Sequence, residues 1–357
     1  MACNYKKGRF VFFIISALLI FTFNNAFANP LKKLFIIHSY EKDHICGQPQ
    51  HDGAMKAISE SGWEVGKNLD VSVYYMDTKK KNNTPELIEQ QAKKAQKKIK
   101  KFKPDIILTL DDNAFRTVAL PLAGTKTSIV FSGINEQPEN YNKIKHFMET
   151  RKNPGSNITG IYEKLHVREA IKILSNMLEL KKVLVLNDLS PTGKAISGQV
   201  KLELFSDRNK KGLPCEVELK TIKSWEEYKD IINIINSSPA IDAFYLGVLL
   251  LKDAAGNTHT APDIIKYTIK HAKKPAMGPN YAFIKMGLYG GASVDFFAMG
   301  YQAGQKVAAI LNGADPGELP IQDARRIALV FNLSRADALG IKIPDDILLA
   351  ADEVFKK

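Results

Sequence analysis

The chain has 357 residues, which is too long for one ordinary small domain and suits two. Hydrophobic residues make up 45% of it and charged residues 25%, an ordinary globular mixture with enough apolar material for two cores. Lysine and arginine outnumber the acids, so the formal net charge is +12. The places where this excess lies indicate which partners to expect.

The first residues read as a leader for export rather than as part of the fold. Lys6, Lys7 and Arg9 precede an apolar run, residues 10–23, and a small-x-small pattern at residues 26–28 follows it. The run is 14 residues long, shorter than the roughly 20 that a membrane-spanning helix needs. We predict a signal peptide, residues 1–28, whose removal lowers the net charge to +9 and leaves a periplasmic protein. An uncleaved anchor is the alternative.

The positive charge is concentrated in one segment. Residues 79–103 contain ten lysines and only two acids, Glu86 and Glu89. Apolar residues recur there at helical spacing, with the lysines on the other side, which predicts a solvated helix face. A nucleic-acid site would have several aromatic residues interleaved with the basic ones, and an exported protein rarely meets nucleic acid, so we expect no nucleic acid partner. A docking surface for an acidic partner is the alternative.

The mature chain keeps two cysteines, Cys46 and Cys215. Export permits a disulfide. However, the two residues fall in different predicted lobes, and a bond between them would hinder lobe movement. We expect two free thiols.

Cys46 also belongs to a group with His38, His44 and His51 that spans 14 residues. A metal site requires such side chains to converge, and these spacings match no site that we can name. We therefore interpret them as polar residues of a strand end, a loop and an early helix. We expect no metal and no cofactor.

Apolar runs of strand length alternate with helical patterns along the chain. In the first half the predicted strands are 33–38, 71–75, 105–110 and 128–131, and the predicted helices are 50–61, 85–101 and 113–122. After residues 153–155 the pattern restarts, with strands 183–186, 216–219, 243–246 and 275–277 and helices 167–178, 192–210, 225–236 and 262–272. Continuous apolar strands with helices between them predict parallel, doubly wound sheets covered on both faces.

The last part of the chain reads as segments that cross between two lobes: a glycine-rich strand, 288–294, a helix, 295–311, and a strand, 326–331. We predict an α/β fold of two doubly wound parallel-sheet lobes joined by a multi-strand hinge. The N-lobe comprises residues 31–157 with 295–324, and the C-lobe comprises residues 158–294 with 325–357.

Ligands of open α/β sheets bind beyond the carboxyl ends of the strands, so the candidate ligand residues follow the predicted strand ends. They are Ser39, Tyr40, Asp111, Asp112, Asn113, Ser132, Gly133, Asn135, Tyr162, Glu163, Asn187, Asp188, Thr192, Gly247, Asn280 and Tyr281, with Asp295 at a lobe crossover. Each has a structural alternative. Asp112 is placed to cap a helix, Asp188 to open a turn, and the tyrosines to fill half-buried positions.

These strand-end segments are rich in acids and amides, and basic residues are almost absent from them. Such a site repels a simple anion and favours a ligand with an amine. We predict Asp295 as the charge partner of that amine, because it lies at a crossover that both lobes reach. The alternative is that Asp295 only caps the following helix.

The sequence contains none of the common catalytic or nucleotide-binding patterns. It has no Gly-x-Gly-x-x-Gly, no phosphate-binding loop, no His-Glu-x-x-His and no Gly-x-Ser-x-Gly. Together with the leader and the two lobes, this favours binding over catalysis. We expect a binding protein and not an enzyme.

Five segments in order resemble one family, the ABC-transporter substrate-binding proteins that include binding proteins for tryptophan and other aromatic amino acids. The segments are 62–69, which reads GWEVGKNL, 154–160, 290–300, 312–316 and 336–344. The resemblance implies the type I periplasmic-binding fold. It implies a solute-binding protein of an importer, a monomer that closes on a small molecule and delivers it to a membrane permease and its ATPase.

Two segments depart from that family. After the third predicted strand that family usually carries small residues that suit capture of a carboxylate, whereas residues 111–115 here read DDNAF. This segment and residues 131–135 are more similar to periplasmic sensing domains of the same superfamily. The alternative function is therefore a sensory binding protein whose partner is a membrane receptor. In either case we expect reversible binding of a small molecule, such as an amino acid or another amine.

Overall fold

Strands and helices alternate through most of the chain, as the apolar pattern predicts. The computed structural model describes residues 1–2, 31–206, 212–248 and 250–356, and residues 31–357 form a unit of their own. The predicted signal peptide lies outside the described residues apart from its first two. Within the described ranges we find no helical segment with the length and hydropathy of a membrane span.

The strands are short and most are buried. In chain order they are β1 (Lys32–His38), β2 (Leu69–Tyr75), β3 (Ile106–Leu110), β4 (Ser128–Ile134), β5 (Ile158–Tyr162), β6 (Lys182–Asp188), β7 (Glu216–Ile222), β8 (Ala243–Gly247), β9 (Leu250–Lys252), β10 (Thr258–Thr260), β11 (Ala276–Met277), β12 (Gly290–Val294), β13 (Gln322–Asp323), β14 (Ile327–Asn332) and β15 (Glu353–Phe355).

The helices vary in length from a single turn to five turns. They are α1 (Gly47–Glu60), α2 (Pro85–Phe102), α3 (Asp112–Ala114), α4 (Pro138–Ile144), α5 (Val167–Ser175), α6 (Pro191–Val200), α7 (Trp225–Ser237), α8 (Ala261–His271), α9 (Tyr281–Lys285), α10 (Phe296–Leu311), α11 (Leu333–Ala338) and α12 (Asp345–Ala350). Two predicted helices differ: 113–122 is broken into α3, a π turn and a 3-10 turn, and 192–210 leaves α-helical geometry after Val200.

Six parallel strands form the first sheet, in the order β13-β5-β4-β3-β1-β2. The chain reverses its direction of winding between β1 and β3, which pair with each other. Sheets of this kind bind ligands at the carboxyl edge near the reversal. Strand β5, which the sequence analysis assigns to the C-lobe, pairs with β4 in this sheet. The lobe boundaries remain a prediction.

Two further sheets come from the second half of the chain. The second sheet is parallel, in the order β11-β8-β6-β7, and its winding reverses between β6 and β8. The third contains β12, β14 and β15, with β12 antiparallel to β14. The two parallel sheets confirm the predicted doubly wound α/β organisation.

Helices cover both faces of the first sheet, as its continuous apolar strands require. Successive side chains of a strand point to opposite faces. Leu34 and Ile36 of β1 accordingly pack in a core cluster with α1 and α10, whereas Phe35 and Ile37 pack in a second cluster with α2. This two-sided burial fixes β1, and with it the position of the residues that follow it.

Helices α1 and α10 cross with almost no space between their backbones. A Cβ atom added at Gly300 would lie 2.0 Å from the carbonyl oxygen of Gln50, and one at Gly53 would lie 2.1 Å from that of Phe297. Only glycine permits such an approach. The crossing fixes α1, which carries Gln50 to the carboxyl edge of the first sheet.

Candidate ligand-binding site

The carboxyl edge of the first sheet gathers most of the predicted ligand residues. Strands β1, β3, β4 and β5 are parallel, so their carboxyl ends meet there. We call this set the first-sheet edge: Ser39, Tyr40, Asp111, Asp112, Asn113, Ser132, Gly133, Asn135, Tyr162 and Glu163. The predicted strand ends place these residues close together, but they do not indicate which side chains form hydrogen bonds with each other.

Gln50, which the sequence analysis does not include, organises the centre of this edge. Its amide nitrogen donates to Asp111 Oδ1 at 3.1 Å, and Ser132 Oγ donates to its amide oxygen at 2.8 Å. Gly133 has φ +76°, and a Cβ there would lie 2.7 Å from the same oxygen. Asp111 has φ +67°, a conformation that favours glycine. Gln50 thus holds a buried aspartate in a strained position.

A second network connects Asp112 to Glu163. Tyr141 donates its hydroxyl to Asp112 Oδ1 at 2.6 Å, and the backbone N–H of Asn135 donates to Asp112 Oδ2 at 3.0 Å. The Asn135 side chain then donates to Glu163 Oε2 at 2.8 Å. Asp112 is therefore held by tertiary contacts; it is the first residue of α3, and Asp111 occupies the N-cap position without a side-chain capping bond.

Burial changes the ionisation of these carboxyl groups. Asp111 is 3% exposed, and burial raises its pKa to about 7 against the opposing effects of Lys79 and Gln50. Burial, together with repulsion from Asp111 and Asp112, raises the pKa of Glu163 well above its ordinary value. No described cation lies within ion-pair distance of Asp111 or Glu163, and Asp111 Oδ2 has no hydrogen-bond partner among the described residues. The edge thus concentrates carboxylates with unused capacity for positive charge.

Lys79 brings one positive charge to this edge, where the sequence analysis places almost none. Its ammonium nitrogen lies 4.0 Å from the centre of the Tyr40 ring. Its charge also lowers the pKa of Asp111, against the larger effect of burial. Lys79 belongs to the lysine-rich segment, so nothing in the sequence distinguishes it from the exposed lysines of α2.

Other predicted ligand residues support the loops of this edge. Ser39 Oγ donates to the Leu110 carbonyl at 2.7 Å and accepts from the Ala114 N–H at 2.8 Å. Asn113 donates to Thr78 Oγ1 at 3.0 Å. The hydroxyl of Tyr162 accepts a hydrogen bond from Gln137, and its ring lies in the apolar core. Whether each also contacts the ligand remains a prediction.

The carboxyl edge of the second sheet holds neutral polar atoms without partners. Asn187 is fully buried at the end of β6, and neither its amide nitrogen nor its amide oxygen has a hydrogen-bond partner among the described residues. The buried Tyr245 hydroxyl on β8 is also unpartnered within these ranges. Gly247 makes room for the amide, because a Cβ there would lie 2.7 Å from Asn187 Oδ1. We call Asn187, Asp188, Tyr245 and Gly247 the second-sheet edge.

Two further predicted residues lie beside this edge. Asp188 accepts from the N–H groups of Ser190 at 2.8 Å and Leu250 at 2.9 Å. Its carboxylate therefore holds two loops, and Ser190 rather than Asp188 caps α6. Thr192 lies half-buried in the first turn of the same helix. Their contact with a ligand remains a prediction.

Gln199 connects helix α6 to the first-sheet edge. This residue of α6 donates from its amide nitrogen to the carbonyl oxygens of Glu163 at 2.9 Å and Asn135 at 3.2 Å. Glu163 also contributes to the raised pKa of Tyr245, after burial and Glu203. That the first-sheet and second-sheet edges form one site remains a prediction. Gln199 carries no local sequence signal that would have identified it.

Asn280 and Asp295 act as helix caps. Asn280 accepts from the Phe283 N–H at 3.3 Å at the start of α9. Asp295 accepts from the Ala298 N–H at 2.8 Å at the start of α10, and its other oxygen lies 3.4 Å from Arg326 Nε. Both oxygens of the Asp295 carboxylate therefore have partners within the protein. The predicted contact of Asp295 with a ligand amine is untested. Tyr281, whose pKa burial raises to about 12, packs against Phe296.

The histidine and cysteine group does not form a metal centre in the described part of the chain, where no three such side chains converge. His38 Nε2 lies 3.0 Å from His51 Nδ1, and burial lowers the pKa of His38 to about 3. Burial raises the pKa of the Cys46 thiol. Cys46 and Cys215 both carry free thiols. This group lies next to Asp111, because Gly47 separates the side chains of Asp111 and His38.

Solved structures of substrate-binding proteins share this fold. A ligand-free, open substrate-binding protein with adhesive properties from Clostridium difficile, CD0873, matches with a TM-score of 0.68 and 19% identity, over 92% of this chain and 100% of that one. A protein from Streptococcus pneumoniae in complex with L-Trp matches with a TM-score of 0.67 and 18% identity, over 91% of this chain and 100% of that one. A conserved domain protein from Vibrio cholerae matches with a TM-score of 0.67 and 22% identity, over 90% and 99%.

These likenesses show the fold, which is that of type I periplasmic-binding proteins. No curated protein matches the chain by sequence. The family model described as "ABC transporter substrate binding protein" matches residues 43–355, which include the second-sheet edge and the first-sheet edge apart from Ser39 and Tyr40. This chain therefore belongs to the ABC transporter substrate-binding protein family.

Proposed function

We propose that this protein is the exported, periplasmic binding component of an ABC importer. It binds a small amine-bearing molecule between the first-sheet and second-sheet edges and delivers it to a membrane permease and its ATPase. Binding is reversible and involves no chemistry. The ligand favours the closed arrangement by contacting both edges at once.

One observation carries the proposal on ligand class: Asp111 and Glu163 are buried together without a described cation at ion-pair distance. Buried carboxylates are costly unless they are protonated or paired. Their raised pKa values express that cost. A ligand ammonium group supplies the missing positive charge. The more strongly it stabilises the ionised form of both carboxyl groups, the more tightly it binds.

Two further observations support an α-amino acid. Lys79 lies beside the same edge, over Tyr40, and offers a partner for a carboxylate. The structurally similar protein from Streptococcus pneumoniae was solved with L-Trp, a molecule that carries both an amine and a carboxylate. The aromatic ring of Tyr40 also provides an apolar wall for a side chain.

A ligand panel tests this proposal. We would measure thermal unfolding and titration heats with sets of three compounds: an amino acid, its decarboxylated amine and its N-acetyl derivative, beginning with L-tryptophan, tryptamine and N-acetyl-L-tryptophan. We expect one set in which the N-acetyl compound binds at least about tenfold more weakly than the other two, because it lacks the charge. Equal binding of the N-acetyl compound would contradict the amine.

The importer role has its own test. The permease and ATPase encoded beside the gene would be reconstituted in lipid nanodiscs, and ATP hydrolysis would be measured with the liganded protein. We expect stimulation by the liganded protein and little by an unrelated binding protein. Absence of stimulation, together with binding to a receptor encoded nearby, would instead favour the sensory role.

A further inference from the structure

The lysine-rich segment forms an exposed charged face that ligand binding does not use. All seven lysines in the second half of α2 and just after it are exposed, and we call them the lysine face: Lys93, Lys94, Lys97, Lys98, Lys100, Lys101 and Lys103. In the part of the chain that the structure describes, none of the seven forms an ion pair. The two acids of the helix, Glu86 and Glu89, lie toward its other end.

This face lies away from the ligand site. The amide N–H of Lys33 donates to Asp105 Oδ2 at 2.8 Å, and its ammonium group donates to the Phe102 carbonyl at 3.3 Å. The end of α2 therefore lies at the amino edge of the first sheet, whereas the candidate ligand residues lie at the carboxyl edge. Lys32 and Lys126, both exposed, continue the positive surface at the amino edge.

The charges do not serve the stability of α2. Lysines at positions 93 and 97, 94 and 98, and 97 and 101 are four residues apart, and like charges at that spacing destabilise a helix. The helix is instead held by its opposite face, where Ala92 and Ala95 are fully buried. Glutamine would provide similar helix propensity at these positions without the repulsion between like charges. A positive face that weakens its own helix points to a partner.

We propose that the lysine face docks on an anionic phospholipid surface. Lysine is depleted at protein interfaces, where arginine and aromatic residues are enriched, and the face contains neither. Lysines are flexible point charges, which suit an array of headgroup phosphates better than a fixed carboxylate pattern. Clusters of four to eight basic residues on a helix bind anionic lipid surfaces. The contact would hold the protein beside the membrane.

The test is sedimentation of the mature protein with vesicles of about one-third phosphatidylglycerol in phosphatidylcholine, compared with vesicles of phosphatidylcholine alone. The variant replaces Lys93, Lys94, Lys97 and Lys101 with glutamine. Each lysine at an anionic surface contributes roughly fivefold to partitioning at low salt. We therefore expect binding only to the anionic vesicles, weakened at least about tenfold in the variant and lost as salt approaches about 1 M.

A matched variant controls for net charge. It replaces four exposed lysines of the second half of the chain, Lys252, Lys266, Lys270 and Lys273, with glutamine. Both variants lose the same net charge, but the control retains the lysine face. We therefore expect the control to keep its vesicle binding. Neither variant should unfold at a lower temperature than the unmodified protein, since neither set is buried and the α2 variant also removes like-charge repulsion.

Two results would overturn the proposal. Equal loss of vesicle binding in both variants would mean that net charge, and not this face, drives adsorption. Absence of binding to the anionic vesicles, with tight binding of poly-glutamate that the α2 variant loses, would assign the face to an acidic protein instead.

Discussion

The two sheet edges of the proposed ligand site hold their polar groups in different ways. At the first-sheet edge, Asp111, Asp112 and Glu163 are fixed by hydrogen bonds from Gln50, Tyr141 and Asn135. At the second-sheet edge, the amide of Asn187 and the hydroxyl of Tyr245 are buried without partners among the described residues. The first edge is charged and rigid, and the second is neutral with unused hydrogen-bonding capacity.

The difference indicates how each edge contributes to binding. Fixed carboxylates recognise charge and decide the class of ligand, since they need no rearrangement when an ammonium group arrives. Unpartnered neutral groups recognise shape and hydrogen bonding, and they repay their burial only when a ligand supplies partners. We therefore expect the largest effects from changes at the first-sheet edge.

The largest expected effect is on the pH dependence of stability. Burial raises the pKa of Asp111 from 3.8 to about 7 in the folded protein, so the folded state keeps a proton that the unfolded state releases. The free energy of unfolding should then fall as pH rises from about 4 to about 7, by up to about 4 kcal/mol from this group. Asp111→Asn should remove that slope.

Urea unfolding of both proteins across this pH range measures the difference. His38, whose lowered pKa has the opposite pH effect, and Asp112 and Glu163, whose raised pKa values have the same pH effect, are present in both proteins, so the subtraction of the curves isolates the contribution that depends on Asp111. Parallel curves of unfolding free energy against pH would show that the pKa of Asp111 is not raised in the folded protein and that its burial carries no such cost.

Next in size is the crossing that fixes Gln50. Gly300→Ala places a Cβ 2.0 Å from the Gln50 carbonyl oxygen, so α1 must move. We expect a loss of about 3 kcal/mol in the free energy of unfolding. The control is Gly198→Ala in α6, where a Cβ meets nothing within 4 Å and helix propensity predicts a gain of about 0.5–1 kcal/mol. Equal effects in chemical denaturation would mean that the crossing relaxes freely.

Glu163→Gln tests the charge at the first-sheet edge directly. A charge-assisted hydrogen bond is worth about 1.5–3 kcal/mol, so affinity should fall by roughly 10- to 150-fold. The folded protein should be no less stable, because glutamine keeps the shape and cannot ionise, so it avoids the cost that burial places on an ionised carboxylate. Titration calorimetry measures the change, with the exposed Asp230→Asn as control. An unchanged dissociation constant for Glu163→Gln would remove Glu163 from the site.

The smallest effect is expected at the second-sheet edge. Asn187→Ala removes neutral hydrogen bonds to the ligand, and affinity should fall by roughly 3- to 10-fold. Thr109→Val is the matched control, because Thr109 Oγ1 is also buried and unpartnered among the described residues but lies within β3. If both variants lost affinity equally, the unpartnered atoms at this edge would have no special role in binding.

The fold could be predicted from sequence where burial leaves a continuous apolar pattern. β1 differs from the predicted strand by one residue, because Leu34 to Ile37 are buried on both faces. α2 begins at Pro85 as predicted, with Thr84 as its cap. Short elements such as α9 and the β9–β10 pair were not predicted, because tertiary contacts rather than periodicity stabilise them.

The site was less predictable than the fold. Strand ends locate Asp111 and Glu163 through the geometry of parallel sheets. Gln50 and Gln199 come from helices far away in sequence, and nothing in their neighbours marks a glutamine that will be buried. Lys79 is one lysine among ten in its segment. Side chains that reach the edge from elsewhere require the tertiary structure.

The central claim is that the first-sheet edge captures a positively charged group. Its most direct test is native mass spectrometry of the protein purified from its own envelope, followed by release and identification of the bound compound. Our account predicts a small molecule with an amine that is protonated at neutral pH, absent from Glu163→Gln purified in the same way. A retained compound that is anionic and has no amine would contradict the account.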